Sequence, residues 1–544
     1  MDSHRKIGIV IFKWLTSAFL FGLLLQVIGL FSLSRAFHFE KNELRVRASA
    51  IKIADFTLTS SRFMPHRWLD SVIPGSSKLT RLLDVADSGA QALSLATGLF
   101  RNSNSQFSVK DLLNSEGVTT VRAISKKILP IQERVLALLQ GQSGDDAIEE
   151  IRGVEILNLL KASRSLIELG LLAEPLSGCL RPARVLLLFT SDSEFRAVGG
   201  LIGQFALLEL NCDEFEITKV GTNAELTDNL DFHSMHQEFP GLYFGINDEW
   251  VNSNLLPTGE LLGQAWISSF ESQFDVALDG VLAIDTQILA AIAASKGGIT
   301  AADGTSLQTK NEVSAYLRNG IYFQYPEDQI ARKRHLLEVT NSIAKDLTID
   351  DLANAAMFGE YLDLVIANRL FMTMKRDFGS ADVEMLNWDS RNSNDIYIGV
   401  NNLSGSKFDF YSDLEVSHRF CPKNKYLLEI ILKNVANPGA YYPDYVGRRL
   451  DKYPSKLDGV LNQILISLPA KGVDVSGKKI SPFSSSALTL GESQNRNLFS
   501  ITEFISAGEK YTVQLSLRSP ERLFFRSWGE PYSSHRKVPQ SRCS

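Results

Sequence analysis

Twenty-one consecutive residues without a charge, Trp14 to Ser34 (WLTSAFLFGLLLQVIGLFSLS), set the first constraint on this chain. As a helix rising ~1.5 Å per residue, the run reaches across the ~30 Å hydrocarbon core of a bilayer. It is longer than the apolar heart of a cleaved signal peptide, so it reads as a signal anchor. Residues 1–13 are then a short cytoplasmic N-terminus, 14–34 a single transmembrane helix, and the bulk of the chain is extracytoplasmic at the plasma membrane. Charge does not set that orientation, because Arg5, Lys6 and Lys13 precede the run while Arg35, Lys41, Arg45 and Arg47 follow it. It rests instead on architecture, since no later segment reads as long and apolar enough to span again.

A chain of 544 residues exceeds one hydrophobic core and is expected to be multidomain. From about Glu40 to Leu180, apolar residues recur at three- and four-residue steps: Leu82, Val85, Gly89, Ala92, Ala96 and Leu99, then Ile124, Ile128, Ile131 and Val135. That period predicts a helical membrane-proximal region over 35–180. At Arg184 the texture changes. Val185 to Phe189 (VLLLF) is a continuous apolar run, the pattern of a buried strand. A polar loop, Thr190 to Gly200, follows, and then a hairpin of Ile202 to Leu210 and Phe215 to Val220 turning at Asn211 to Asp213. Val276 to Ile284 reads as a strand, Thr286 to Ala294 as a helix stopped by Gly297 and Gly298, and three helical segments are expected between Lys310 and Phe378. This mixture predicts an α/β core over 181–380. Beyond Asp382 the segments are short and β-rich, among them Ile396 to Val400, Leu414 to His418, Tyr426 to Leu432, Val460 to Leu468, Ser500 to Ile505 and Tyr511 to Leu517. They predict a C-terminal β-sandwich over 381–525, with 526–544 as a disordered tail.

The net charge of −6 gives no global attraction to nucleic acid, and none is expected as a partner. Cys179, Cys212, Cys421 and Cys543 are far apart, a spacing that indicates neither a disulfide framework nor a cysteine metal site, although an extracytoplasmic location permits a disulfide. Gly472 to Lys479 (GVDVSGKK) has phosphate-loop spacing, but Lys479 stands where a magnesium-binding hydroxyl is needed, and the segment lies among strands. His233 and His236 have no third ligand nearby and read as surface histidines.

Two segments gather groups suited to an anion. The first is the loop carrying Asp192, Glu194, Arg196, Gly199 and Gly200, which leaves the end of a buried strand, where α/β proteins place ligand sites. Arg196 supplies a planar cation for a phosphate, the glycines let backbone amides approach it, and Asp192 or Glu194 is suited to a divalent metal. The same residues equally fit a plain strand connection in which Arg196 pairs with its own carboxylates. The second segment is Asp328 to Leu347, with Asp328 as helix cap. Arg332, Leu336, Val339 and Ile343 share one face, so Arg332 lies on the apolar side while Arg334 and His335 point elsewhere. A cation on an apolar face needs an anion, and either Asp328, one turn earlier, or a bound phosphate serves. The candidate anion contacts are thus Arg196, Gly199, Gly200, Arg332 and Arg334, with Asp192 as the candidate metal ligand. No catalytic residue is assigned.

The sequences FTSDSEFRAVGGLIGQFALLEL (Phe189 to Leu210), LDGVLAID (Leu278 to Asp285) and NNLSGSKFDFY (Asn401 to Tyr411) resemble the bacterial family called domain of unknown function 4012. The resemblance runs from about Ala183 to Pro520, and its most specific part is R-x-x-G-G-x-I-G. That family has no assigned activity. Its order of elements is similar to that of the LytR-CpsA-Psr phosphotransferases, which use arginines, aspartates and magnesium to move glycopolymers from polyprenyl pyrophosphate onto the cell wall. The parallels are the apolar strand ending in Ser191-Asp192-Ser193, Arg196 before the next strand, the helix start with Asp328, Arg332, Arg334 and His335, and the N-terminal anchor. Where those enzymes carry R-x-D-T, this chain has Arg196-Ala197-Val198-Gly199, without the carboxylate. The resemblance implies an envelope protein whose partners are the lipid bilayer and a polyprenyl-phosphate-linked glycan or other anionic envelope polysaccharide, and no cofactor is assigned with certainty. A phosphotransferase, which would take Mg2+, and a structural scaffold are the alternatives.

Overall fold

The computed structural model of this protein describes residues 37–40, 43–46, 182–211, 214–226, 250–255, 259–345, 370–376, 384–387, 395–421, 424–447, 459–469, 472–481, 489–493, 496–519 and 523–527. Met1–Glu174 and Pro175–Ser544 are two compact units. In the first, the described residues pair as an antiparallel hairpin, β1 (Phe37–Glu40) with β2 (Glu43–Val46), inside the stretch where the longer pattern predicts helix. Phe37 and Phe39 alternate with His38 and Glu40, so the local period is two. The predicted anchor Trp14–Ser34, the rest of 35–180, His233, His236 and the tail beyond 527 lie outside the described residues. Among the described residues no helix is long and apolar enough to cross a membrane.

The second unit begins with β3 (Ala183–Phe195), β4 (Gly200–Asn211) and β5 (Glu214–Thr222), an antiparallel meander that realises the expected hairpin. Next come α1 (Gly259–Phe274), β6 (Gly280–Asp285) and α2 (Thr286–Ser295). Helix α1 lies in the crossover that lets β6 run parallel to β3. Asp285 ends β6 and caps α2, its carboxylate accepting from the amides of Gln287 (2.9 Å) and Ile288 (3.1 Å). A small hairpin of β7 (Ile299–Thr300) and β8 (Ser306–Leu307) precedes α3 (Lys310–Ala315), a π turn (Tyr316–Gly320), α4 (Ile321–Gln324) and α5 (Gln329–Lys345). Then β9 (Leu370–Arg376) and β10 (Glu384–Asn387) complete a six-stranded mixed sheet of order β10-β9-β6-β3-β4-β5. The last part of the stretch read as helical before Phe378 is therefore strand. In Leu370, Met372 and Met374, residues of one kind fall at every second position, the period of a strand.

Strand β3 is central because it is apolar in both directions. Leu186 and Leu188 face Leu262, Trp266 and Phe270 of α1, while Leu187 and Phe189 face Ile288, Ile292 and neighbours on α2. Successive side chains of a strand point to opposite faces, so a run without alternation requires a cover on each. Each such side chain, once fully buried, contributes ~1.5–3 kcal/mol.

From Asp395 onward the described chain is β-rich. It contains β11 (Asp395–Asn402), β12 (Ser412–Cys421), β13 (Lys425–Asn434), β14 (Gly459–Pro469), β15 (Asp474–Ser481), β16 (Thr489–Ser493), β17 (Arg496–Ser506), β18 (Lys510–Arg518) and β19 (Phe524–Ser527), with one short helix, α6 (Asp444–Gly447). They form a five-stranded sheet, β16-β17-β14-β11-β19, and a four-stranded sheet, β12-β13-β18-β15, whose inner residues share one core. Burial alternates along β13 and β18, as strands with one wet face require. The GVDVSGKK segment lies largely in β15, which disposes of a phosphate loop there. Cys421 is buried and disulfide-bonded, a bond the sparse spacing did not indicate, and its partner lies outside the described residues. Both cores of the six-stranded sheet also take in residues from this region: Tyr397, Leu465 and Leu498 in one, Phe408, Val446 and Val460 in the other.

Candidate functional site

The pairing of β3 with β4 is regular up to Phe189 and breaks after it. Ser191 pairs with Leu201 and Phe195 with Gly200, so Asp192, Ser193 and Glu194 are left out of that ladder. The predicted polar loop is thus an irregular extension of the strand. Its two glycines have backbone reasons: Gly199 adopts φ +83°, and a Cβ on Gly200 would lie 2.1 Å from the Ser191 carbonyl oxygen. Asn254 closes the turn, its amide donating to the carbonyls of Val198 (2.8 Å) and Gly200 (2.6 Å). Asn401 accepts from the Ala197 amide at 2.7 Å and donates to Leu255 O and Gln463 Oε1, both at 3.0 Å.

Every carboxylate in the extension is engaged. Glu194, buried, meets Arg196 Nη2 at 2.7 Å through one oxygen and Lys407 Nζ at 2.6 Å through the other. Burial works to raise its pKa, but Lys407 and Arg196 outweigh it and hold the carboxyl below its ordinary value. Burial likewise opposes the Lys407 ammonium, and Glu194 more than offsets it, keeping the pKa above the ordinary lysine value. Arg196 is further fixed by the carbonyls of Phe195 (2.9 Å), Asn402 (3.3 Å) and Val251 (3.4 Å). Asp192 lies 2.9 Å from Arg318 Nε, but the N–H is not aimed along that line, so this contact is coulombic rather than a hydrogen bond. Arg318 sits on the π turn, a local insertion that also brings its carbonyl to Ser193 Oγ (2.6 Å). Asp409 accepts from the Phe195 amide and from Asn402 Nδ2, both at 2.7 Å. Burial pushes its pKa up to about 6, with those donors opposing and Glu194 adding to the rise.

Arg332 contrasts with this. It is 2% exposed on the buried face of α5, beside Val339 and Ile343, as the spacing predicts, while Arg334 is exposed. Its guanidinium lies 3.8 Å from the ring centroid of Tyr445 and 5.0 Å from that of Tyr322, and among the described residues Nη1 has no hydrogen-bond partner. Asp328 is an exposed cap, its Oδ1 accepting from the Ala331 amide at 2.9 Å, and it forms no ion pair with Arg332. A desolvated cation–π contact contributes ~2 kcal/mol, whereas removing a cation from water costs several, so the rings do not offset the burial.

Arg196 and Arg332 are brought into one charged zone, linked through others. Arg196 holds Glu194, Glu194 holds Lys407, and Lys407 and Arg332 both act on the Tyr322 phenol, whose pKa burial pushes up against their attraction. Lys407, Asp409, Arg318, Asn254, Asn401, Tyr322 and Tyr445 carry no role in the sequence reading. The only local signal was the KFDFY run, read as a resemblance without an assignment. No curated protein and no solved structure matches the chain. Residues 181–322, the segment that contains Arg196, Gly199, Gly200 and Arg318 and stops short of Lys407, match the family model described as protein of unknown function (DUF4012).

Proposed function

We propose that this chain is a membrane-anchored extracytoplasmic protein of the bacterial envelope whose core binds an anionic ligand, a lipid-linked precursor or an acidic glycopolymer, without turning it over. The observation that carries the reading is an imbalance of charge. Among the described residues at the end of β3 and around the adjoining Tyr322 ring, there are four cations, Arg196, Arg318, Arg332 and Lys407, and three carboxylates, Asp192, Glu194 and Asp409, leaving one positive charge in excess. Binding is favoured over transfer because the strand-end carboxylates already serve cations: Asp192 faces Arg318, and Glu194 faces Arg196 and Lys407. Phosphoryl transfer relies on metal to neutralise developing charge, and a carboxylate committed to an arginine is a poor magnesium ligand. The location is supported by the Trp14–Ser34 run and by the disulfide at Cys421, since such bonds persist in oxidising compartments. The finer architecture belongs to the same reading: anchor, helical region over 35–180, α/β core over 181–380, and the two C-terminal sheets as a β-sandwich serving as an interaction module.

The test uses the full chain in detergent. Saturable, salt-sensitive binding of a polyprenyl pyrophosphate or an acidic envelope glycan is expected without added magnesium. Brisk magnesium-dependent release of polyprenyl phosphate would overturn the non-catalytic reading. Protease added to intact spheroplasts should digest the body beyond Arg35, and its protection would overturn the location.

A further inference from the structure

We infer that Arg332 anchors an oxyanion site covered by Tyr445, one that takes a single phosphate or carboxylate group. This rests on the binding reading above and adds the residue, the charge and the cover. The other cations of the zone are spoken for: Arg196 and Lys407 by Glu194, Arg318 by Asp192. Arg332 has two aromatic faces and an unpartnered Nη1, and among the described residues no carboxylate pairs with it. The excess of the zone is one positive charge, which one oxyanion balances. A guanidinium edge is the donor geometry that phosphate and carboxylate oxygens fit.

Nη1 is buried, so the anion enters only when its cover moves. That cover is slight. Tyr445 belongs to α6, a turn of four residues, and is itself partly exposed. The approach to α6, residues 437–441, is exposed throughout and includes Pro438 and Gly439 at φ +74°. Behind Tyr445 the turn is pinned by the Lys407 amide donating to Val446 O at 3.0 Å. Rotation of one ring opens the guanidinium while that pin holds the backbone. Tyr322, on which Tyr445 stacks at 5.7 Å between centroids, stays as the floor.

The experiment titrates the full-length, detergent-solubilised protein with three probes that share the oxyanion: inorganic phosphate, octyl phosphate and an oligogalacturonate. Saturable binding of at least one is expected, and the probe preferred identifies the source as a free ion, a lipid head group or a polymer. Arg332→Gln should weaken that binding about tenfold or more, while Lys333→Gln, the exposed neighbour, should change it by less than about twofold. Tyr445→Ala should speed association by about threefold or more, because the cover is gone. Should the glutamine variant not fold, Arg332→Lys keeps the charge without the planar fork and should still weaken binding by about threefold or more. Unchanged affinity in the Arg332 variants overturns the site while leaving the binding reading intact. Failure of the wild type to bind any probe overturns both, and unchanged association in Tyr445→Ala overturns the cover.

Discussion

Arg196 and Arg332 are buried almost equally, at 5% and 2% exposure, and both were singled out as anion contacts, yet their surroundings are opposite. Arg196 meets a carboxylate, three backbone carbonyls and, at 3.5 Å, Asn252 Oδ1. Arg332 meets two tyrosine rings and, among the described residues, keeps an unpaired Nη1. Burial alone therefore says little about whether a charge serves the fold or a ligand. What separates the two is whether the buried donors are matched, because a matched network stabilises one packing and an unmatched donor retains affinity for something else.

The sharpest way to break the comparison is to remove the shared anion of the matched side. Glu194→Ala strands both Arg196 and Lys407 in the interior, and losing one partner of a buried ion pair costs on the order of 3–5 kcal/mol. Thermal melting of the full chain should show a large loss of stability, with Arg196→Ala moving the same way. A melting temperature unchanged by Glu194→Ala would mean that the network contributes nothing to the fold.

Asp409 gives an intermediate effect with a definite sign. Its folded pKa is raised from 3.8 to about 6, so the folded state binds this proton more readily than the unfolded one. The stability it lends is fully present below the unfolded value and is lost as pH rises through about 6, on the order of 3 kcal/mol in all. Glu194 acts oppositely: its depressed pKa gives stability above the unfolded value of 4.5 that is lost as pH falls through the folded one. Asp409→Asn keeps an acceptor for Phe195 and Asn402 without the charge. It should be more stable than the wild type at pH 7 and should lose that advantage as pH falls toward 4. A difference that stays constant over this range would show that Asp409 does not titrate there.

The same contrast explains what was legible in the sequence. The strand Val185 to Phe189, the hairpin after it, the helix after Asp285 and the alternating strands beyond 395 follow from local period and turn residues, and they were read within a few positions. Arg332 on the inner face of its helix followed from spacing too. The partners were not legible. Lys407 reaches Glu194 across 213 positions and Asp409 reaches Phe195 across 214, and no local period encodes which distant polar residue will face which. The hairpin at 37–46 and the strand at Leu370–Arg376 were missed for the opposite reason: a short period-two stretch was absorbed into a longer helical pattern.

The smallest expected effect is the most discriminating. Arg332→Met replaces the guanidinium by an apolar side chain of similar length, which gives up a cation–π contact of ~2 kcal/mol and also removes a desolvation penalty of several. No carboxylate is stranded by the change, because none pairs with Arg332 among the described residues, and methionine fills irregular apolar space well. Stability without ligand should therefore move by no more than about 1 kcal/mol, in the stabilising direction if in either. The same substitution at Arg196 should be strongly destabilising, since it leaves Glu194 with Lys407 alone and frees the carbonyls of Phe195 and Asn402. Urea melts of the two methionine variants in parallel measure that difference. A loss at Arg332 as large as the loss at Arg196 would mean that the tyrosine clamp supports the fold as fully as the matched network does, and the distinction between the two arginines would not stand.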